Sequence, residues 1–289
     1  MHHRSTATPQ IFTVDVEEYF HAAAFDHVVS RDSWDGRDSR VEPMVDLLLE
    51  MLAGAGALGT FFTLGWLAER RPDLVRRIAA AGHEIASHSW WHRRVYRLTR
   101  DEFRDDARRS KDVLEQATGA RVFGYRAPSF SIVPGTEWAL HTLRDVGYVY
   151  DSSLFPIRRP GYGYAAAPTD PHTIRCPAGD LLELPLATTR WAGLRLPAAG
   201  GGYLRQLPLA LTRRAFREHA ARGASAVFYI HPWELDPEQP RLPVSWLTRV
   251  RHYRGLERTR ERIAALLAEF RWTSVERALR LTPALSSAS

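Results

Sequence analysis

Residues 11–18 read Ile-Phe-Thr-Val-Asp-Val-Glu-Glu, a short apolar run that ends in three carboxylates. The run is rich in β-branched and aromatic side chains, which is typical of a buried strand. Acidic side chains directly after such a strand lose solvation and repel one another, so they need a cation or hydrogen-bond donors nearby. This stretch therefore predicts a strand whose carboxyl end opens into a functional site.

Strand-like and helical patterns alternate along the rest of the chain. Apolar runs bounded by turn residues predict further strands at 59–64, 83–87, 121–125, 148–151, 181–186, 226–230 and 271–275. Amphipathic stretches predict helices at 41–53, 67–80, 100–118, 135–146, 209–222 and 257–270. Thr99 and Glu102 form a capping box at the start of the third of these helices. Residues 156–180, rich in Pro, Gly and Tyr, predict a long excursion. The alternation predicts an α/β fold with a parallel sheet, either barrel-like or doubly wound.

Composition limits the classes of protein that this chain can belong to. Its 289 residues, 45% of them hydrophobic, allow one large domain or two small ones. The net charge of +6 comes from Arg spread over helical surfaces, and no basic stripe is interleaved with aromatics. We therefore predict no nucleic-acid partner, although a positive face suits anionic glycans or phosphate-bearing lipid carriers. The single cysteine, Cys176, excludes an internal disulfide and a Cys-based zinc site.

The N-terminus is polar and leads directly into the first predicted strand. The chain has neither an apolar signal region nor a run of about 18 apolar residues that would span a bilayer. These features predict a cytoplasmic protein without a membrane span.

Two histidines follow the predicted strand at 83–87, in His88-Ser-Trp-Trp-His92. Histidines four apart lie on one face of a helical turn, close enough to bind one metal ion. Two His and one carboxylate with an open position form a standard hydrolytic zinc site. We therefore predict that Asp15 or Glu17 joins the pair as a metal ligand while the other acts on the attacking water. Glu18 is expected to be a solvated loop residue.

Three more polar side chains follow predicted strands. Arg126, in Tyr-Arg-Ala-Pro-Ser, is expected to clamp Asp15, unless it forms only a generic structural salt bridge. Asp151 begins Asp-Ser-Ser after the fifth strand, and His231 follows the apolar run before Pro-Trp-Glu. A histidine at a strand end, oriented by an Asp, is a candidate general acid. In parallel α/β folds the chemistry lies at these carboxyl ends.

Taken in order, these motifs resemble the five motifs of the polysaccharide deacetylase (NodB-homology) family. They are most similar to the subgroup encoded with exosortase-linked exopolysaccharide genes, whose motifs correspond to residues 13–21, 125–131, 150–153 and 229–237. The resemblance runs from about residue 10 to 275. It implies a distorted (β/α) barrel of the NodB-homology type with fewer than eight complete strands. It also implies one catalytic domain over 1–289, with a subgroup-specific part at about 235–280.

The resemblance further implies a metal-dependent hydrolase that removes N-acetyl groups from amino sugars of a bacterial polysaccharide or oligosaccharide. Its partner is then an N-acetylated glycan substrate, and its cofactor a divalent metal, with Zn²⁺ the expected ion. The implied site residues are Asp15, Glu17, His88, His92, Arg126, Asp151 and His231.

By similarity, Asp15 is the general base and Glu17 a metal ligand with His88 and His92. The family's adjacent acid pair is stretched here to Asp-Val-Glu, so the two roles stay open between Asp15 and Glu17. Glu18 remains a further candidate base. His231, its charge supported by Asp151, is expected to protonate the leaving amine.

Three further residues are expected to line the site. The backbone N–H near Ser129 is expected to hold the oxyanion. Trp91 or Trp233 is expected to stack on a sugar ring, whereas most other tryptophans are expected in the core. One alternative is a metal-dependent amidohydrolase of the same superfamily acting on a small amide. Another is a non-catalytic glycan-binding relative, which would not need an acid, two His, an Arg and a late His together.

Overall fold

The structure is a computed structural model that describes residues 8–159 and 161–281. The strands within this part are β1 Gln10–Val16, β2 Thr60–Thr63, β3 Glu84–Ser87, β4 Gly124–Tyr125, β5 Tyr150–Asp151, β6 His172–Cys176, β7 Gly179–Glu183, β8 Thr188–Trp191, β9 Leu194–Pro197, β10 Val227–Ile230 and β11 Trp272–Thr273. The α-helices are α1 Val41–Gly54, α2 Gly65–Arg70, α3 Pro72–Ala80, α4 Arg100–Thr118, α5 Trp138–Val146, α6 Gly201–Gln206, α7 Leu209–Ala221, α8 Trp246–Tyr253, α9 Thr259–Glu269 and α10 Val275–Leu279. None of the helices in the described ranges is both long and apolar enough to cross a membrane.

The central sheet has the strand order β10-β1-β2-β3-β4-β5-β7-β6, and β11 also pairs with β1. All of these pairings are parallel except that between β6 and β7. The predicted α/β fold with a parallel sheet is therefore confirmed. The strand path is open, but single bridges join Leu186 to Val227 and Gly200 to Tyr229, both in β10. The two sides of the sheet thus approach each other through isolated bridges and not through a continuous ladder.

The central strands are buried on both faces. Every residue of β1, β2, β3 and β10 is buried, as expected for parallel strands that helices cover on both sides. The predicted capping box at α4 is present, because Thr99 Oγ1 accepts from Glu102 N and the Glu102 carboxylate accepts from Thr99 N. Helix α4 ends at Gly119, which adopts the left-handed conformation with φ 67°. Local capping signals therefore fixed both ends of this helix.

The structure differs from the sequence prediction mainly in the connections. The helix predicted at 67–80 is two helices, because Pro72 lacks an N–H and begins α3 as its first residue. The excursion at 156–180 contains β6, an edge strand that alternates between partly buried and exposed residues. The hairpin β8–β9 and the helices α6 and α8 were not predicted, since their apolar patterns are short.

A buried carboxyl at the start of β3 ties the C-terminal helix to the sheet. Glu84 accepts hydrogen bonds from Tyr150 Oη at 2.8 Å, from Thr60 Oγ1 at 2.5 Å and from Glu276 N at 2.8 Å. Burial raises the pKa of Glu84 from its ordinary value of 4.5 to about 7, although these hydrogen bonds oppose the shift. The folded protein thus holds a proton here that the unfolded chain releases.

We expect Glu84→Gln to flatten the pH dependence of stability. Between pH 4.5 and about 7 the folded state binds more protons than the unfolded state, so the free energy of unfolding falls as pH rises. At about 1.4 kcal/mol per pKa unit, this group makes the protein up to about 3 kcal/mol less stable at pH 8 than at pH 4. Urea unfolding at pH 5 and pH 8 measures the difference. Glu257→Gln, at an exposed position, is the matched control. An unchanged difference in Glu84→Gln would contradict the assignment.

Candidate metal centre and active site

The carboxyl ends of four parallel strands meet at one edge of the sheet and carry polar side chains. Asp15 lies near the end of β1 and Glu17 just after it, His88 follows β3, Arg126 follows β4 and His231 follows β10. This is the edge at which parallel α/β folds place their chemistry. The first four side chains are buried, and the side chain of His231 is 17% exposed. The site therefore opens to solvent on the side of His231.

Three ligand atoms converge at the centre of this edge. Glu17 Oε1 lies 3.0 Å from His88 Nε2 and 3.0 Å from His92 Nε2. His88 Nδ1 lies 2.9 Å from the carbonyl oxygen of Arg126, so in the neutral ring Nδ1 carries the proton and Nε2 turns its lone pair toward Glu17. His92 Nε2 is buried without a hydrogen-bond partner among the described residues. Lone pairs that face one another need a cation between them, and this donor set fits a divalent metal ion.

The carboxyl group of Glu17 is held in its charged form. Burial alone would raise the pKa of Glu17, but the surrounding side chains of His92, His231 and His88 hold it well below its usual value. An ionised carboxylate is the form that binds a metal. The electrostatics of this metal-free arrangement thus already suit a ligand role for Glu17.

The loop that carries the two histidines is held in a strained shape. Ser89 and His92 both have positive φ, at 68° and 52°, which is uncommon for residues other than glycine. Ser89 Oγ accepts from His92 N at 3.1 Å. The carboxylate of Asp106, on α4, accepts from Trp90 N at 2.8 Å and from Trp91 N at 3.2 Å. Asp106 was not predicted from the sequence. The only feature that could have indicated its role is that an acidic residue lies on the buried face of an amphipathic helix.

Close packing behind this loop requires a glycine in α2. Gly65 N donates to Ser89 O at 2.9 Å, which brings the start of α2 against the loop. A Cβ atom at Gly65 would lie 2.5 Å from the ring of Trp90. The absence of a side chain at Gly65 therefore lets α2 support the two histidines.

Arg126 is buried and holds Asp15 in place. Its Nη1 lies 2.7 Å from Asp15 Oδ1 and 2.7 Å from Thr13 Oγ1. Its Nε donates to Ser152 O at 3.0 Å, and its Nη2 donates to Ser152 Oγ at 2.9 Å. The guanidinium is thus fixed by β1 on one side and by the residue after β5 on the other, and the expected clamp on Asp15 is present in the structure.

His231 faces the acidic pair but does not have the expected partner. Its Nε2 lies 3.9 Å from Asp15 Oδ2 and 3.9 Å from Glu17 Oε1. Its Nδ1 lies 2.7 Å from Glu234 Oε1, whereas the sequence analysis predicted Asp151 as the supporting acid. Burial alone would lower the pKa of His231, but the carboxylates of Glu17, Glu234 and Asp15 raise it to about 9. The structure therefore corrects the partner of His231 from Asp151 to Glu234.

Asp151 lies elsewhere because of the strand register. It is paired with Glu183 across the parallel ladder of β5 and β7. Its carboxylate accepts from Ser153 N at 3.0 Å and from Ser153 Oγ at 2.7 Å. Burial raises the pKa of both carboxyl groups, and the repulsion from Asp151 raises that of Glu183 further. The nearby positive charge of Arg126 partly opposes both shifts. Asp151 is therefore one of the buried groups that surround the Arg126 guanidinium.

Glu234 is itself held by a buried arginine. Arg205 Nε lies 2.5 Å from Glu234 Oε2, and both side chains are buried. Arg205 Nη1 donates to His252 O and to Arg254 O, each at 2.8 Å, at the end of α8. The signal that would have found Glu234 was the glutamate three residues after the histidine in Tyr-Ile-His-Pro-Trp-Glu. Nothing in the local sequence of Arg205 indicated its role.

Glu18 is not the solvated loop residue that the sequence analysis expected. It is buried, and its carboxylate accepts from Ser39 Oγ and, at 2.9 Å, from Arg40 N, directly before α1. Burial raises its pKa despite these hydrogen bonds. Backbone N–H groups at a helix start attract carboxylates, so this side chain is used to cap α1.

The tryptophans near the site divide into three cases. Trp90 is buried, in agreement with a core role. Trp233 is also buried and lies between the rings of His231, at 4.9 Å, and His252, at 4.3 Å. Both faces of Trp233 are therefore covered, which corrects its expected role as a sugar platform. Trp91 is partly exposed, so a stacking role there stays a prediction.

The loop after Arg126 is strained at the position expected to hold the oxyanion. Ser129 and Phe130 have positive φ, at 55° and 51°. Such strain in residues other than glycine is concentrated at functional sites. Ala127 N donates to Ser153 Oγ at 2.8 Å and fixes the start of the loop. The oxyanion role of the Ser129 N–H stays a prediction.

Two segments of the chain match models of known families. Residues 32–150 match the model of the family described as Polysaccharide deacetylase, and residues 152–280 match that of a Domain of unknown function (DUF3473). Strands from both segments lie in the same sheet. A peptidoglycan-N-acetylglucosamine deacetylase from Bacillus cereus is 31% identical over 106 residues, which are 36% of this chain and 38% of that protein. The chain therefore matches well under half the length of this curated relative.

Solved structures share the fold. A Mycobacterium smegmatis protein assigned as a polysaccharide deacetylase has a TM-score of 0.62 at 22% identity, covering 99% of this chain and 96% of that one. A CE4 family pseudoenzyme from Bacillus anthracis has a TM-score of 0.51 at 15% identity, covering 95% and 66%.

Fold and site together define an α/β protein with a mostly parallel sheet and a buried Glu-His-His cluster at its carboxyl edge. Within this fold, residues 32–150 are similar to the polysaccharide deacetylase family.

Proposed function

We propose that the chain is a metal-dependent hydrolase that removes N-acetyl groups from an amino sugar of a bacterial glycan. The observation that supports this most is the convergence of the Glu17, His88 and His92 cluster with two further groups, Asp15 and His231, within 3.9 Å of each other. A binding protein needs no such set of a cation site, an acid and a base. The Bacillus cereus relative is named for N-acetylglucosamine, which supports an N-acetylated substrate.

In this proposal Glu17, His88 and His92 hold the metal, with Zn²⁺ the expected ion. Such an ion supplies a Lewis acid that polarises the acetamide carbonyl and activates water. Asp15, fixed by Arg126, takes the proton from the attacking water. The positive charge of Arg126 keeps the base in one orientation. The N–H of Ser129 is expected to stabilise the oxyanion that develops on the carbonyl oxygen.

His231 then delivers a proton to the departing nitrogen. The carboxylates of Glu17, Glu234 and Asp15 raise its pKa to about 9, which favours the protonated ring. Glu234 accepts from Nδ1 and turns Nε2 toward the acidic pair. The C–N bond breaks as the nitrogen gains the proton, and the products are acetate and a free amino sugar. Water and the amide thus account for every atom of the products.

The finer parts of the proposal rest on the motifs. The four stretches at 13–21, 125–131, 150–153 and 229–237 support the exosortase-linked exopolysaccharide subgroup and hence a glycan made for export. The shared sheet supports a single catalytic domain over 1–289, in which the part at about 235–280 is specific to the subgroup. That part includes α8, whose last carbonyls hold Arg205.

The direct test joins metal content with acetate release. We expect the purified protein to bind about one divalent metal per chain and to release acetate from N-acetylated oligosaccharides. The double variant His88→Ala, His92→Ala should lose both, because two of three ligands are gone. His141→Ala, on an exposed face of α5, is the matched control and should retain both. Full metal occupancy in the double variant would contradict the site. A metal-loaded wild type that releases no acetate from any of them would contradict the function.

A further inference from the structure

A cavity of about 240 Å³ lies beside the loop that carries the two histidines. Its lining side chains are Asp26, Arg31, Arg93, Arg94 and Arg97. At about 30 Å³ per water molecule, it has room for about eight waters, enough for a polar substituent of a sugar. Arg93 and Arg94 directly follow the metal-site residue His92, and Arg31 Nε donates to Trp91 O at 3.1 Å. The cavity therefore lies against the segment that directly follows His92.

The charges around this cavity do not balance. Four guanidinium groups and one carboxylate give a net charge of +3 (4 − 1). Arg94 pairs with Asp26 at 3.2 Å, and Arg93 pairs with Glu102, outside the cavity, at 3.1 Å. Within residues 8–159 and 161–281, Arg31 and Arg97 form no ion pair. Two of the four positive charges are thus not engaged in an ion pair, although Asp26 and Asp106 act on Arg31 at longer range.

These arginines also repel one another. Burial lowers the pKa of Arg31; the carboxylates of Asp26 and Asp106 raise it, and the positive charges of Arg93 and Arg97 lower it. Like charges that converge on a cavity cost free energy unless an anion fills it. The planar guanidinium presents paired N–H donors that match the oxygens of phosphate. The arrangement is therefore that of a site prepared for an anion.

We propose that this cavity binds the phosphate or diphosphate ester of a phosphorylated amino-sugar substrate, while the acetamide of the same substrate lies at Glu17, His88 and His92. Two unbalanced positive charges match the two negative charges of such a group, whereas a single carboxylate would leave one unmatched. The inference rests on the proposed function and narrows it. It specifies a glycan that still carries its phosphate-linked carrier, in place of a neutral finished polymer.

The test compares N-acetylated sugar substrates with and without a phosphate group. The probes are N,N′-diacetylchitobiose, N-acetylglucosamine 1-phosphate, UDP-N-acetylglucosamine, a farnesyl-diphosphate-linked N-acetylglucosamine and a disaccharide of N-acetylglucosamine and glucuronate. We expect the metal-loaded wild type to deacetylate the phosphorylated probes with a kcat/KM at least about tenfold above that of chitobiose, since charge-assisted hydrogen bonds are stronger than neutral ones. Preference between the nucleotide and the farnesyl probe identifies the carrier.

Arg97 is the position at which to test the cavity, because its exposed side chain is not part of the metal site. Arg97→Gln should lower the ratio of phosphorylated to neutral kcat/KM about tenfold, and Arg97→Glu should lower it further. Arg260→Gln removes the same charge from the exposed face of α9 and should leave the ratio at the wild-type value. Added salt should weaken the preference in the wild type.

Two results would overturn the inference while the proposed function stands. One is that Arg97→Glu has the same ratio of phosphorylated to neutral kcat/KM as the wild type. The other is that the wild type prefers the glucuronate disaccharide to the phosphorylated probes. If no probe is deacetylated, the proposed function fails separately. In that case, an NMR titration of the metal-free protein with N-acetylglucosamine 1-phosphate tests whether the cavity binds a phosphate group. Binding that is weakened at least tenfold in Arg97→Glu supports it, and equal or absent binding overturns it.

Discussion

Asp15→Asn is expected to lower kcat by about 10²–10⁴-fold while the protein keeps its metal, because it removes a general base and no ligand. Glu17→Gln is expected to lose metal and activity together. The structure supports this division, since Glu17 Oε1 lies 3.0 Å from both histidine nitrogens while Asp15 is bound by Arg126. Asparagine keeps the oxygen that accepts from Arg126, so the variant should fold.

The measurement is metal content and initial rate for the two variants side by side, with thermal unfolding as a check on folding. Asp105→Asn replaces an exposed acid on α4 and is the matched control. A metal-free Asp15→Asn together with an active, metal-bound Glu17→Gln would make Asp15 the metal ligand and leave Glu17 neither ligand nor base. Glu18 would then be a poor next candidate for the base, because its carboxylate is engaged at the start of α1.

His231→Ala is expected to lower kcat by about 10²–10⁴-fold with metal content unchanged, because it removes the proton donor of the leaving amine. Glu234→Asp should lower kcat by a smaller factor, about tenfold, with KM near the wild-type value. The shorter carboxylate still pairs with Arg205 but no longer holds His231 Nδ1 at 2.7 Å. Glu234 is thus a positioning residue.

Glu234→Gln tests how much Glu234 contributes to stability, apart from its positioning of His231. It leaves the buried charge of Arg205 without its partner, a change that typically costs about 3–5 kcal/mol. We therefore expect a lower melting temperature in Glu234→Gln, and a loss of kcat with little loss of stability in Glu234→Asp. Asp151→Asn is the informative comparison, since Asp151 was the partner predicted from sequence. A larger kcat loss in Asp151→Asn than in Glu234→Asp, at equal stability, would return the supporting role to Asp151.

The sequence alone determined the parts of the protein that depend on local patterns. The buried strand at 11–16 was predicted from β-branched and aromatic residues, and the start of α4 from Thr99 and Glu102. Polar residues at strand ends predicted the site, because parallel strands bring their carboxyl ends to one edge whatever the details of packing. For that reason Asp15, Glu17, His88, Arg126 and His231 could be placed together without coordinates.

Only the tertiary structure decided which of these groups touch. Asp151 faces Glu183 because the ladder of β5 and β7 sets their register, and the sequence does not encode that pairing locally. Glu234 contacts His231 because Arg205, which is 29 residues earlier in the chain, pairs with the carboxylate of Glu234 and fixes its position. Contacts between residues far apart in sequence depend on how the elements pack, and packing is settled by the whole core at once. The same holds for the arginine cavity, whose members lie on two segments more than fifty residues apart.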